Sequence, residues 1–145
     1  MRALIQEEYG EPRDVLRVGD VPDPMPSDGE VRIRVRAASI HIGDVHGVRG
    51  VPYLFRPIYG LRGPTARIPG SDIAGTVEAV GPNVTELAPG DQVFGWCKSA
   101  FAEYGVTSAE TLAPKPAGLS FEAAAALGVS AMVALQALRD HGNLQ

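Results

Sequence analysis

The sequence predicts a mainly β fold, a small barrel or sandwich of seven or eight short strands, with short helices and one longer helix near its C-terminal end. Three observations carry this. First, 17 glycines and 12 prolines are spread through 145 residues, and so many turn-formers keep each element short, the habit of antiparallel β folds. Second, residues 30–37 alternate strictly: Val31, Ile33, Val35 and Ala37 face one way, and Arg32, Arg34 and Arg36 the other. That period of two is a strand with one dry and one wet face. Third, the composition turns to alanine and leucine without proline between residues 121 and 139, where a helix can run.

The elements follow in chain order. Residues 1–6 form an apolar run suited to a strand, and 7–14 carry Gly10 and Pro12 and make a turn. Residues 15–21 are a second strand, stopped by Pro22, Pro24 and Pro26. The alternating strand 30–37 follows the turn Ser27-Asp28-Gly29. Residues 39–49 have room for one or two helical turns. Residues 51–69 are long and irregular, with Pro52, Pro57, Pro64 and Pro69; a long loop in a compact domain is usually functional or disordered, and Tyr53, Leu54, Phe55 and Ile58 make this one too apolar for disorder. Strands are expected at 73–80, 92–96, 101–106 and 111–113. Residues 114–119 link to the helix 121–139, which Ser120 caps by accepting a backbone N–H. That helix is apolar nearly all round and is expected to be buried on most sides, against the barrel, a second copy or a further domain.

Composition also excludes. The chain is 45% hydrophobic and 21% charged, ordinary for a globular protein. A net charge of −4 gives no general attraction to nucleic acid or to an anionic membrane. The apolar run 121–139 is alanine-rich and reads as a buried helix rather than a membrane span. One cysteine, Cys97, cannot build a disulfide framework or a cysteine-based zinc ribbon, and a reducing, cytoplasmic setting follows. Residues 1–10 lack the apolar core of a signal peptide. Charge is uneven: between Asp44 and Asp72 lie Arg49, Arg56, Arg62 and Arg67 and no acid. That stretch is either a solvated loop or a surface for an anionic ligand or partner.

No G-x-G-x-x-G fingerprint, no G-x-x-x-x-G-K-[ST] loop and no G-x-S-x-G elbow occurs. The side chains able to do chemistry gather after the alternating strand, where His41, Asp44 and His46 fall close together. Read alone, His41 and His46 are too few for a metal site, which needs three or four converging ligands.

Several blocks in order carry a resemblance: MRALIQEEYGEP, EVRIRVRAASI followed by HIGDVHGVRG, IPGSDIAGTVEAVGPNV, APGDQVFGW, and SAFAEYGVTSAETLAPKPAGLSFEAAAALGVSAMVALQAL. Together they resemble the N-terminal GroES-like catalytic domain of medium-chain dehydrogenase/reductases, most closely the zinc-independent quinone oxidoreductase branch. The resemblance implies a partly open, GroES-like β-barrel over residues 1–119. It also implies that 120–145 lead to a Rossmann domain that this chain does not contain, which accounts for both the all-round apolar helix and the missing glycine fingerprint.

The resemblance further implies where zinc-dependent relatives bind their metal. Their cysteine position is His41 here, their Gly-His-Glu triplet is Gly70-Ser71-Asp72, and their third ligand falls on Val129. That set cannot hold a catalytic zinc, so no metal is expected. In the quinone reductase branch the positions of His41 and His46 face nicotinamide and substrate, which makes His41, Asp44 and His46 the candidate catalytic residues. Either imidazole can meet negative charge developing on a carbonyl oxygen or supply a proton. His41, Val129 and Val133 are the candidate cofactor contacts, and Tyr53 and Trp96 the candidate substrate contacts.

The function implied is the substrate-binding half of an NAD(P)H-dependent oxidoreductase. It would transfer hydride to a quinone or an activated C=C or carbonyl acceptor, with NADPH or NADH held mainly by the absent domain and no zinc. The fragment alone is expected to be inactive, and the assembly a homodimer with a small-molecule substrate. The alternatives are a non-catalytic GroES-like interaction or co-chaperonin module, and a zinc alcohol dehydrogenase domain.

Overall fold

The computed structural model describes residues 1–142, the side chains of residues 55 and 58 excepted. Seven strands lie close to their expected places: β1 Arg2–Gln6, β2 Leu16–Asp20, β3 Glu30–Ser39, β4 Asp72–Val80, β5 Gln92–Trp96, β6 Tyr104–Ser108 and β7 Leu112–Pro114. β1 and β2 pair as an antiparallel hairpin. The other five form an antiparallel sheet in the order β6-β3-β4-β5-β7. β6 and β7 stay at its two edges, so the sheet is open rather than a closed barrel, and a bridge between Ala3 and Ala102 helps tie the hairpin to it.

β3 explains both the success and the limit of the alternation argument. Val31 and Ile33 are fully buried and pack with Ile73, Val77, Val93, Cys97 and Ala100, with Val35 against the same cluster. Ala37 does not join them. The β3–β4 register shifts between Val35 and Ala37, and Ala37 then packs against a second cluster of Ala74, Ala124 and Ala125. A bulge moves one residue to the other face, and period counting along one strand does not reveal it. The arginine face is partly covered: Arg32 lies 5.4 Å from the Tyr104 ring centre and Arg36 5.7 Å from that of Phe121.

The C-terminal segment departs most from expectation. In place of one helix over 121–139 there are two shorter ones, separated by a break at residues 126–127. α1 is Pro12–Val15, with proline in its first turn where a missing N–H costs nothing. α2 is Ile42–Arg49, ended by Gly50 in the left-handed region at φ 64°. α3, Arg56–Tyr59, follows a 3₁₀ turn at Tyr53–Phe55 inside the expected irregular loop. α4 is Phe121–Ala125, capped as anticipated by Ser120 Oγ, which accepts from the Ala123 N–H at 3.1 Å. α5 is Gly128–Gln136, continued by a π-type turn at Ala137–His141.

The break has a physical cause. The Asp72 carboxylate accepts from the Val129 N–H at 2.9 Å and so starts a second helix. Gly128 sits so close to that carboxylate that a Cβ there would run into it. α4 buries Ala124 and Ala125 on the sheet, whereas α5 buries no residue and leaves Met132 62% and Leu135 54% exposed. The expected burial of the whole helix is therefore not met by these residues alone. Residues 143–145 of the predicted segment 120–145 lie outside the described residues. Among the described residues no helix is long and apolar enough to cross a membrane.

Candidate active-site cleft

A cleft of about 330 Å³ opens between the start of α2, the loop 59–71 and the end of β5. Its walls include Tyr59, Ile68 and Trp96, and its polar lining includes Gln6, Asp44 and Ser71. The backbone fixes these walls. The Cys97 N–H donates to the Ser71 carbonyl at 2.7 Å and the Ala100 N–H to the Gly70 carbonyl at 3.2 Å. The buried Gln6 amide donates to the carbonyls of Val48 at 2.8 Å and Glu8 at 2.9 Å, tying the end of α2 to β1. Such a frame is preformed, as ligand clefts usually are.

The floor is organised around Asp44, only 8% exposed. Its Oδ2 accepts from the His41 N–H at 3.0 Å and its Oδ1 from the Ser71 hydroxyl at 3.0 Å. His41 in turn caps α2: its Nδ1 accepts from the Gly43 N–H at 2.9 Å, and the two residues form a reciprocal capping box. An accepting Nδ1 carries no proton, so the neutral ring bears its proton on Nε2. Nε2 is buried without a hydrogen-bond partner, 3.7 Å from Asp44 Oδ2.

Of the residues singled out from sequence, Asp44 and Trp96 line the cleft, while His41, His46, Tyr53, Val129 and Val133 are absent from its lining. His41 lies just behind it through Asp44. His46 is half-buried in α2. Tyr53 is exposed and stacks on the Arg56 guanidinium at 4.6 Å, with Tyr9 on that cation too at 4.8 Å. Val129 spends its N–H on Asp72, and Val133 stands exposed on α5. The arginine-bearing stretch is largely consumed within the fold. Arg49 pairs with Glu11 at 2.8 Å, Arg67 with Glu7 at 2.7 Å, and Arg56 donates to the Gly50 carbonyl at 3.1 Å.

Sequence reasoning gave no role to Asp72, Gln6, Tyr59 or Lys98. A buried carboxylate in a strand of small apolar residues, as at Asp72, is a signal in itself, since an acid is almost never fully buried without partners. Lys98 and Tyr59 gave none, because only the folded loops bring them to the cleft.

The residues do not fit a zinc ion. His41 Nδ1 and the Ser71 hydroxyl are engaged within the capping network, and Val129 has no ligating atom. Cys97 is fully buried in the core, where desolvation pushes its thiol up to about 12, far from the thiolate a metal needs. Among the described residues no three His, Cys, Asp or Glu side chains converge. A dinucleotide is fitted only in part. Both sheets are antiparallel and no glycine-rich strand-to-helix turn is present, so these residues hold nothing that cradles a pyrophosphate. Val129 and Val133 can offer apolar contact alone.

An open antiparallel sheet with a capped helix at the mouth of a cleft and a helical pair leaving its rim defines a GroES-like domain. The family model "Alcohol dehydrogenase GroES-like domain" matches residues 27–128, and the chain belongs to that family, within the medium-chain dehydrogenase/reductases. The quinone oxidoreductase of Homo sapiens is 32% identical over 140 residues, covering 95% of this chain and 40% of that protein. The mitochondrial enoyl-[acyl-carrier-protein] reductase of Xenopus tropicalis is 30% identical over 151 residues, covering 99% and 40%. A mycobacterial structure solved in complex with NADPH superposes with a TM-score of 0.85 at 30% identity, covering 100% of this chain and 42% of that one. The chain thus spans about two fifths of the length of these relatives, the first two of which are oxidoreductases.

Proposed function

We propose that this chain is the substrate-binding part of an NAD(P)H-dependent oxidoreductase that reduces a quinone, or a C=C or carbonyl activated by conjugation, without zinc. The observation that carries the reading is the commitment of the zinc positions: His41 caps a helix, Ser71 donates to Asp44, and Val129 has no donor atom. Without a Lewis acid to polarise an alcohol, an acceptor already electron-poor is the better match. When bound, the nicotinamide supplies hydride.

The chain's own residues then have distinct tasks. Trp96 and Tyr59 provide flat apolar walls that hold a planar acceptor and exclude water. His41 acts from behind the cleft: its Nδ1 caps α2 and its buried Nε2 lies 3.7 Å from Asp44 Oδ2, so it holds Asp44 and the start of α2 in place beneath the acceptor. His46, half-buried on α2 outside the cleft lining, is the residue proposed to deliver the proton once the cofactor domain completes the site. The exposed face of α5 is the proposed seat of a cofactor domain within a homodimer.

The test follows NADPH consumption by the intact enzyme with a quinone or enone acceptor, before and after treatment with a chelator. Turnover is expected to survive chelation, and His46→Ala to lower kcat/KM on the order of 10²-fold. Turnover that depends on added zinc, or none with any such acceptor, would overturn the reading.

A further inference from the structure

Beside the cleft lies a second depression of about 350 Å³, lined by Thr65, Ala66, Arg67, Ile68, Lys98 and Ser99. It is continuous with the cleft, because all of these but Arg67 also line that space. It holds two cations and no acid, in a chain whose net charge is −4. The acid of the neighbouring cleft, Asp44, is turned to the His41 N–H and the Ser71 hydroxyl.

The donors of this annex can be counted. The Thr65 hydroxyl donates to the Tyr59 carbonyl at 3.0 Å, and Arg67 is held by Glu7, which also binds Arg17 at 2.7 Å. Lys98 and Ser99 have no side-chain partner among the described residues. Lys98 therefore presents a free ammonium at the join of the two spaces, and Ser99 a free hydroxyl.

The backbone that presents them is fixed. Cys97 and Ala100 on either side donate to the Ser71 and Gly70 carbonyls, and Phe101 donates to Pro69 at 3.0 Å. Ser99 at the tip adopts φ 71°, in the left-handed region that costs a non-glycine residue free energy. A strained residue held on a rigid turn beside a cleft is a known mark of a ligand contact. The Arg67 carbonyl accepts from the Gln6 N–H at 2.7 Å, which anchors the opposite wall to β1.

We infer that this annex is an anion subsite of the acceptor cleft, in which Lys98 and Ser99 bind a carboxylate carried on the tail of the substrate. Two uncommitted donors match two carboxylate oxygens. A phosphate, with three oxygens, would need Arg67 freed from Glu7. The inference rests on the reading above that the cleft takes the acceptor, and it narrows the substrate class from quinones and enones at large to those bearing an acidic side chain. Lys98 is a specificity-determining residue in this scheme, with no part in hydride transfer.

Calorimetry with 3-benzoylpropionate and its neutral methyl ester tests this without turnover or cofactor, so its outcome is independent of the NADPH assay. The wild-type protein at low salt is expected to bind the acid about tenfold more tightly than the ester, with the ratio shrinking in about 0.5 M salt. Lys98→Gln should bring the ratio close to one while leaving ester affinity unchanged, and Lys98→Arg should keep most of the preference. Lys98 is exposed, so neither variant threatens folding. A wild-type ratio near one, a ratio that survives Lys98→Gln, or no binding of the acid would each overturn the inference.

Discussion

β3 and α5 are both rich in apolar side chains, yet they end in opposite environments. Val31 and Ile33 of β3 are sealed between β4 and β6, in a cluster with Ile73, Val77 and Val93. Met132, Val133 and Leu135 of α5 stand more than half exposed. Hydropathy along the chain expresses how strongly a face favours cover. Whether the same chain supplies that cover depends on how much sheet it has left. Here the core side of the sheet closes over the first cluster, α4 takes Ala74 and Ala37 on the other, and α5 meets the sheet only along its first turn, with Gly128, Val129 and Ala131 half-buried.

The largest test of this contrast is truncation in the core. Ile33→Ala removes a fully buried side chain and leaves a cavity among Ile73, Val77 and Val93. The expected loss is about 3–4 kcal/mol, read as a drop in the denaturant midpoint without a change in slope. A loss under about 1 kcal/mol would mean that the first cluster is not the cooperative core.

The junction between the two regions comes next. Asp72, 1% exposed, accepts from the Val129 N–H and, at 3.4 Å, from the Ser39 hydroxyl. Asp72→Ala leaves both donors without a partner, and an unmet buried donor costs about 1–3 kcal/mol. The expected loss is about 2 kcal/mol, together with faster hydrogen exchange at the Val129 amide, since α5 loses the group that starts it. Exchange that speeds up equally across β3 would instead make α5 part of the core unit, and the contrast between the two regions would fail.

The succession of strands along the chain was legible because glycine or proline turns separate most of them and β3 alternates cleanly as far as Val35. What was not legible came from contacts made at a distance. Ala37 changes face through a bulge set by its pairing with β4, and the helix breaks at Gly128 because a carboxylate 56 residues earlier occupies the space of a side chain. The cleft shows the same division. Asp44 and Trp96 could be named from local position and from the family resemblance. Lys98 could not, because its role depends on a turn folding back against residues 69–71. The histidines illustrate a third case, in which the residue was legible and its state was not. Only the Gly43 N–H pointing at His41 Nδ1 fixes where that ring keeps its proton.

The smallest expected effect lies on α5, where it sharpens the contrast most. Leu135→Gln replaces an exposed apolar side chain with a polar one. Both residues are good helix formers with straight or γ-branched chains, so intrinsic propensity changes little. No buried cavity opens, because α5 buries none of its residues on the sheet. The stability of this chain is therefore expected to change by less than about 0.5 kcal/mol, against the several lost at Ile33. If α5 seats a cofactor domain, as proposed, the same substitution in the intact enzyme buries an amide in an apolar contact, and the penalty rises to about 1–3 kcal/mol. The measurement is a pair of denaturant curves for Leu135→Gln, one on this chain and one on the intact enzyme. A small effect in both would leave the exposed face of α5 without a covering domain, and a large effect in this chain alone would show that α5 packs on its own sheet after all.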